Sequence, residues 1–168
     1  RNRKVIIPST HRCKDADVGA QYPSSIIKLA VYPPHLKVTI LHNFQKTVQL
    51  KDVYKQYGKE TTDKAKKSYY KGLEGGTKLR MNGGYYGKLG QKGSFLEYPE
   101  GLLKVCISNQ IEILMLIEML EEEGFSVISG NTDGIVTLYP KDKEEQYIGI
   151  CKRWEVAVGN TKMGKLEY

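Results

Sequence analysis

Two aspartates, 116 positions apart, are the residues of this chain best suited to chemistry. Asp17 ends the stretch "RCKDADV" (12–18), and Asp133 lies in the turn of "VISGNTDGIVTLYP" (127–140). An Asp-Gly pair between apolar runs is a common hairpin signal, so Asp133 alone is more simply explained as a turn residue. Two carboxylates brought together, however, would supply the hard oxygen ligands that Mg²⁺ prefers. Whether Asp133 is a turn residue or a metal ligand therefore depends on whether the fold brings the two aspartates together.

The order of the predicted elements brings both aspartates to one edge of a sheet. When residues 32–100 are set aside, the remaining elements follow the order β-α-β-β-α-β of a ferredoxin-like fold. In that fold the first and second strands run parallel, and the third strand returns between them. Asp17 and Asp133 then lie about 4.8 Å apart, one strand spacing. The predicted elements are strand 12–18, a helical turn or two at 23–31, helix 102–123, a hairpin at 127–138, helix 141–159 and a last strand in "KMGKLEY".

Bulk composition limits the class of protein. The chain has 168 residues, is 40% hydrophobic and contains no run approaching the roughly 18 apolar residues of a membrane span. Its basic start lacks the apolar region of a signal peptide, so we expect a cytoplasmic protein with no membrane partner. Three scattered cysteines and three dispersed histidines argue against a disulfide framework or a zinc site. The missing initial Met and the abrupt end suggest a fragment of a longer protein.

The positive charge is concentrated in one segment. Residues 51–92 hold eleven Lys/Arg against four Asp/Glu, an excess of seven that equals the whole net charge of +7. Elsewhere the two signs balance. A basic segment of this kind commonly faces phosphate, although a solvated surface is the simpler explanation when nothing else is known.

Three stretches, taken in order, resemble the conserved motifs of family B DNA polymerases. "DADVGAQYPSSII" (15–27) is similar to motif A, "KLRMNGGYYGKLG" (78–90) to motif B, and "GNTDGI" (130–135) to motif C. The matching residues are Asp17, Tyr22, Pro23, Ser24 and Ile26 in motif A, Lys78, Asn82, Tyr86 and Gly87 in motif B, and Thr132 and Asp133 in motif C. The "GKLG" after motif B and the Asn-Thr-Asp-Gly form of motif C are features of bacteriophage members.

The chain departs from these motifs at three points. Asn131 stands where motif C usually has its first Asp, which removes one negative charge, and Gly134 stands where Ser is usual. The stretch similar to motif B has one extra residue between Asn82 and Tyr86, so the alignment of Lys78 with the lysine of the motif is uncertain by one position.

The resemblance implies an α+β, ferredoxin-like polymerase palm with an inserted helical fingers segment. It places the first part of the palm at 1–47, the fingers at 48–89 and the second part of the palm at 90–168, with exonuclease and thumb regions outside this chain. The implied activity is DNA-directed DNA polymerisation, the addition of dNMP to a primer 3′-hydroxyl with two Mg²⁺ ions, for which Mn²⁺ can substitute. The implied partners are primer-template DNA, dNTPs and the remaining domains of the parent polymerase. A phage-encoded polymerase would work in the cytoplasm of its bacterial host.

The resemblance also implies a role for each matching residue. Asp17 and Asp133 would be the catalytic carboxylates and metal ligands, joined by the Val18 carbonyl. Tyr22 would close over the sugar and reject a 2′-hydroxyl. The other nucleotide-binding groups would be the backbone N–H groups of Ala20 and Gln21, at a helix start, and the side chains of Lys78 and Asn82. The residues expected to contact DNA are Lys67, Lys71, Tyr85, Tyr86, Gly87, Lys88 and Thr132.

Helical spacing supports part of this assignment. At 100° per residue, a stripe about 60° wide contains Lys64, Lys67, Lys71, Lys78, Asn82 and Tyr85, although the pair Gly75-Gly76 could reset the phase. In the helix at 102–123, Leu114, Leu116 and Met119 are expected to belong to the core. Trp154 is expected to pack the second helix on the sheet.

Three alternative functions remain open. An RRM-like module that binds single-stranded nucleic acid would share the fold and the basic charge, but it needs aromatic side chains exposed on the central strands. Those strands offer little beyond Tyr139, and such a module has no use for two aspartates. Reverse transcriptases and nucleotidyl cyclases lack the Tyr-Pro-Ser and Lys-x-x-x-Asn elements. A degenerate, inactive palm is supported mainly by Asn131.

Overall fold

A computed structural model describes residues 9–159 and 166–167, which form two compact units. Of the described residues, the first unit comprises 9–21, 107–159 and 166–167, and the second comprises 22–106. The strands are β1 (His11–Val18), β2 (Ser126–Gly130), β3 (Gly134–Pro140) and β4 (Leu166–Glu167). The α-helices are α1 (Gln21–Lys28), α2 (Thr39–Glu60), α3 (Lys64–Met81), α4 (Gly87–Leu89), α5 (Pro99–Glu122) and α6 (Glu144–Ala157). A π-helical turn (Asn82–Tyr86) links α3 to α4, and a 3₁₀ turn (Lys141–Lys143) precedes α6.

The sheet of the first unit has the predicted ferredoxin-like topology. Its strand order is β2-β3-β1-β4, and β3 pairs antiparallel with both β1 and β2. β1 and β2 therefore run in the same direction with β3 between them, which confirms the α+β, βαββαβ prediction. β4 completes the sheet by pairing antiparallel with β1.

Side chains that alternate between buried and exposed along the strands form part of the core of this unit. Ala16 and Val18 of β1 and Ile135 of β3 are buried together with residues of α5 and α6. Trp154 is fully buried, as predicted, and its indole N–H donates to the Glu112 carbonyl at 2.7 Å. This bond ties α6 to α5 and satisfies the polar atom that a buried Trp brings with it.

The helix α5 carries apolar residues on two opposite faces, and only one of them is in the core. The buried face consists of Asn109, Ile113, Leu116 and Leu120, and Met119 packs at its margin. The predicted core position of Leu114 is wrong, because its side chain is 53% exposed. Leu114 belongs with Ile107 and Ile111 to the outer face, about 160° around the helix at 100° per residue.

The second unit contains an antiparallel pair of helices. The Tyr57 ring of α2 lies 5.4 Å from the Tyr70 ring of α3, and Phe44 lies 4.3 Å from Tyr85. The chain of α3 and the π-helical turn after it thus runs back along α2, so that later residues meet earlier residues of α2. Asp63 starts α3 by accepting hydrogen bonds from the backbone N–H groups of Ala65 and Lys66, at 2.8 and 3.3 Å. Residues 48–71, which are rich in Lys and Tyr, are thus helical, with a break at 61–63.

None of the helices in the described part of the chain has the length and apolar character needed to cross a membrane.

Candidate active site

The first unit brings the backbones of the two aspartates together. Asp17 pairs with Gly134 in the β1–β3 ladder, and the Val18 N–H donates to the Asp133 carbonyl at 2.7 Å. Asp17 and Asp133 are therefore neighbours at one sheet edge, as the topology predicts. The Asp17 side chain is exposed and that of Asp133 is half-buried, so solvent reaches both carboxylates.

The Asp17 carboxylate lies over the backbone of Gly134. A Cβ atom added at Gly134 would collide with Asp17 Oδ1 and would come within 3.0 Å of the Ala16 carbonyl oxygen. A residue with a Cβ atom at this position would therefore force the Asp17 carboxylate, the end of an exposed side chain, to move. The φ angle of Gly134 lies outside the left-handed region, so backbone conformation is not the reason. Gly134 immediately follows Asp133, so the Asp17 carboxylate lies against the backbone of the residue next to the second aspartate.

Asn131 builds the turn that presents Asp133. Its Oδ1 accepts hydrogen bonds from the N–H groups of Asp133 at 3.0 Å and Gly134 at 2.5 Å, while its own N–H donates to the Gly134 carbonyl at 2.9 Å. The Thr132 hydroxyl is 3.4 Å from Asp133 Oδ1. A carboxylate oxygen could accept the same two backbone bonds, so an Asp at position 131 is compatible with this turn.

The connection from β1 to α1 is tightly turned. Ala20 has a φ of +53°, a left-handed conformation that costs a non-glycine residue roughly 1–3 kcal/mol. α1 begins at the next residue, Gln21, whose side chain is buried and donates from Nε2 to the Asn109 carbonyl at 3.4 Å. The buried side chain fixes the place where the helix starts. Phosphate binding by the Ala20 and Gln21 N–H groups stays a prediction.

In the second unit, Tyr22 and Tyr86 form an aromatic pair. Their ring centroids lie 4.5 Å apart with the planes tilted by 42°, and both side chains are half-buried. The Tyr86 hydroxyl lies 3.1 Å from the Cys106 Sγ, within hydrogen-bonding distance. Burial, and then the hydrogen bond to Cys106, raise the pKa of Tyr86 above its usual range, so its phenol stays protonated.

The sequence alone does not reveal the role of Cys106, which lies 20 positions from Tyr86 and in no recognisable motif. Nor does it show that Gly134 makes room for the Asp17 side chain. A one-residue departure from a motif is the only sequence signal at Gly134.

Tyr85 points away from the lysine face. Its side chain is buried, its ring packs on Phe44, and its hydroxyl donates to the Val31 carbonyl at 3.1 Å. Burial raises the pKa of Tyr85 to about 12. The predicted stripe therefore fails at Tyr85, which is a core residue of this unit and does not present its ring to DNA.

The π-helical turn explains why the stripe fails. The Gly87 N–H donates to the Asn82 carbonyl, five residues earlier in the chain. An α-helical hydrogen bond joins residues four apart, so this turn contains one residue more than an α-helical turn. The phase of the helix thus changes after Asn82. The pair Gly75-Gly76 does not reset it, because α3 runs through both glycines.

The remaining basic and DNA-directed positions lie mostly on the surface. Lys67, Lys71 and Lys78 are exposed, as is Asn82. Lys88 is half-buried, and its Nζ lies 2.5 Å from Gln91 Oε1. Gly87 and Thr132 are exposed, although they belong to different units.

The two aspartates offer a small oxygen ligand set. Within 9–159 and 166–167, no group of three or more His, Cys, Asp or Glu side chains is placed to hold a metal ion. Asp17 and Asp133, whose backbones are neighbours, nevertheless carry carboxylates, the hard oxygen donors that suit Mg²⁺, and Mg²⁺ binds few protein ligands and keeps water and phosphate oxygens. The residues present fit that metal.

The fold belongs to the class of ferredoxin-like α+β domains with a helical insertion, and it is similar to part of a polymerase. The structure of the family B DNA polymerase from the hyperthermophilic archaeon Pyrobaculum calidifontis matches with a TM-score of 0.67 and 16% sequence identity. The match covers 96% of this chain and 24% of that chain, so the chain spans about a quarter of the polymerase's length. At this identity the match shows a shared fold. No protein-family model and no curated protein matches the sequence.

Proposed function

We propose that this chain is the palm, with a fingers segment, of a family B DNA polymerase of bacteriophage type. In this proposal it adds dNMP to a primer 3′-hydroxyl under the direction of a template, in the cytoplasm of a bacterial host and together with other domains of its parent. The observation that carries the proposal is the Asp17 carboxylate held over Gly134, beside Asp133, at the edge of a polymerase-like sheet.

Asp17 and Asp133 would hold two Mg²⁺ ions, with Val18 contributing its carbonyl oxygen. Bound Mg²⁺ supplies an activated primer oxygen and neutralises charge on the leaving pyrophosphate, and Mn²⁺ can replace it. The protein's own contribution is to keep two like charges adjacent and open to solvent. Asn131 in place of Asp makes this site one negative charge weaker while preserving the turn.

The incoming nucleotide would contact the groups that the resemblance to family B DNA polymerases implies. The N–H groups of Ala20 and Gln21 would bind its phosphates at the start of α1, where peptide dipoles favour an anion. Lys78 would neutralise charge on the nucleotide phosphates as the bond breaks, with Asn82 one helical turn away from it. Tyr22 would lie against the sugar C2′ atom and exclude a 2′-hydroxyl.

Primer-template DNA would contact the exposed basic side of α3 and the segment after it. Lysines on a helix face attract the phosphate backbone without reading sequence. The contacts proposed are Lys67, Lys71, Tyr86, Gly87, Lys88 and Thr132.

Single-nucleotide primer extension with Mg²⁺ tests the proposal. The full-length protein is compared with its Asp133→Asn and Asp17→Asn variants and with Asp142→Asn, an exposed aspartate of the 3₁₀ turn that serves as the matched control. We expect extension by the wild type and the control, none by the other two, and nearly unchanged DNA affinity throughout. Undiminished extension by Asp133→Asn would refute the metal assignment, as would a large loss of DNA binding in either active-site variant.

The same assay separates the proposal from its alternatives. A folded wild-type protein that binds DNA without extending the primer would be a degenerate palm or a binding module. The RRM-like alternative is weakened by Tyr139, the aromatic residue it would need on the sheet surface, because that side chain is buried. Its hydroxyl donates to Glu144 Oε2 at 2.9 Å, which makes it a structural residue.

A further inference from the structure

Three side chains of the second unit form a continuous contact from α5 to the start of α1. Cys106 of α5 lies 3.1 Å from the Tyr86 hydroxyl, and the Tyr86 ring lies 4.5 Å from the Tyr22 ring, centroid to centroid. The Cys106 side chain is partly buried, as are both tyrosines. Tyr22 is the residue placed against the nucleotide sugar in the proposed function, so whatever holds Tyr86 in place also limits the movement of Tyr22.

The π-helical turn decides which tyrosine occupies this place. The segment contains two consecutive tyrosines, and the turn sends Tyr85 into the core while Tyr86 meets Tyr22. Tyr85 is fixed by the Val31 carbonyl, whereas the hydroxyl of Tyr86 is paired with the Cys106 Sγ. π-Helical turns occur frequently at functional sites.

We propose that Cys106 is a positioning residue that sets sugar selectivity, by holding the Tyr86 ring against Tyr22 through the hydrogen bond to the Tyr86 hydroxyl. The inference rests on the proposed function and extends it. With the hydrogen bond intact, Tyr86 blocks the rotation of Tyr22 that would open space for a 2′-hydroxyl. Without it, the Tyr86 ring can shift and Tyr22 can retreat.

The observable is the ratio of kcat/KM for a dNTP to kcat/KM for the matching rNTP. Cys106→Ala removes the hydrogen bond, Cys106→Ser keeps a side chain that can form it, and Cys13→Ala removes an exposed cysteine of the first unit as the matched control. We expect the ratio to fall about three- to tenfold in Cys106→Ala, the range set by the net strength of one hydrogen bond. Cys106→Ser and Cys13→Ala should keep the wild-type ratio.

A second comparison asks whether Cys106 acts through Tyr22. In a Tyr22→Ala background the barrier to the 2′-hydroxyl is already absent, so adding Cys106→Ala should leave the ratio unchanged. Such non-additivity is expected only of residues that act on one another. An additional loss in the double variant would mean that Cys106 influences selectivity by another route, and would overturn the inference.

The outcomes distinguish this inference from the proposed function. If the wild-type protein extends a primer and Cys106→Ala lowers kcat/KM for both nucleotides equally, Cys106 is only structural and the inference is wrong while the polymerase assignment stands. If Cys106→Ser behaves like Cys106→Ala, the hydrogen bond is not the cause. If the wild-type protein extends no primer, the proposed function fails and the inference fails with it.

Discussion

Replacing Gly134 by alanine should separate activity from stability. The new Cβ would collide with Asp17 Oδ1 and would lie 3.0 Å from the Ala16 carbonyl oxygen. Moving the Asp17 carboxylate off its rotamer costs about 0.5–1.5 kcal/mol, and tight packing against the backbone adds about 1 kcal/mol. Losing a glycine from the unfolded chain gains about 0.4–1 kcal/mol. The free energy of unfolding should therefore fall by about 0.5–2 kcal/mol.

The effect on activity should be much larger. The substitution displaces a proposed metal ligand, and a misplacement of about 1 Å at a reacting centre can cost roughly 100-fold in rate. We expect urea unfolding to show a small shift and single-nucleotide extension to fall about 100-fold. Gly149→Ala is the matched control, because Gly149 is an exposed residue of α6 with no neighbour near the position of a Cβ. It should unfold at slightly higher urea and extend normally.

The family resemblance makes the opposite prediction for a related variant. Motif C usually has Ser at this position, so Gly134→Ser should be tolerated if the chain followed the family pattern. The structure predicts a loss similar to that of Gly134→Ala, because the serine Cβ meets the same Asp17 oxygen. Unchanged unfolding together with unchanged extension in either variant would refute the placement of the Asp17 carboxylate over Gly134.

Three further predictions concern local contacts. Asn131→Ala should lower the free energy of unfolding by about 1–3 kcal/mol, measured in urea, because two backbone N–H groups lose their acceptor. Asn131→Asp should retain or improve primer extension. Hydrogen bonding from Lys14 lowers the pKa of Glu144, so Glu144→Gln should destabilise the protein at neutral pH. In unfolding curves, the difference in the free energy of unfolding between wild type and Glu144→Gln should vanish as pH falls below the usual range of glutamate pKa values. Glu145→Gln, at an exposed position, should show no such pH dependence. Trp154→Phe should lower the free energy of unfolding by about 2–4 kcal/mol, measured by thermal or urea unfolding, since it leaves a cavity at a fully buried site and removes the hydrogen bond from the indole N–H to the Glu112 carbonyl.

The meeting of Asp17 and Asp133 could be predicted because it depends on topology alone. Strand alternation and the order of elements determine that β3 lies beside β1, and the Asp-Gly turn puts Asp133 at the end of that ladder. The proximity of the two backbones does not depend on where any side chain lies. The collision between a Cβ at Gly134 and the Asp17 carboxylate does depend on side-chain position, so it could not be read from the sequence.

The inward face of α5 shows what periodicity leaves open. Its apolar residues recur at helical spacing on two sides, Ile107, Ile111 and Leu114 on one and Ile113, Leu116 and Leu120 on the other. Each stripe alone satisfies the pattern of an amphipathic helix. The tertiary contacts determine which stripe is buried, because Trp154 of α6 packs against the second side and donates to the Glu112 carbonyl there. The sequence therefore predicts the helix correctly and Leu114 wrongly.

The π-helical turn gives a physical account of the one-residue excess that appears when residues 78–90 are aligned with motif B, as proposed. A residue inserted into a helix can be taken up by one bond across five residues, here from Gly87 to Asn82, instead of shifting everything that follows. In the proposed alignment Lys78 and Asn82, the residue after α3, keep the spacing of one α-helical turn, and the extra residue lies within the π-helical turn that brings Tyr86 to Tyr22. The same insertion explains why a constant 100° step assigned Tyr85 to the lysine face. The proposed register of Lys78 therefore depends on its distance from Asn82 and not on its distance from Tyr86, because the irregular turn lies between Asn82 and Tyr86.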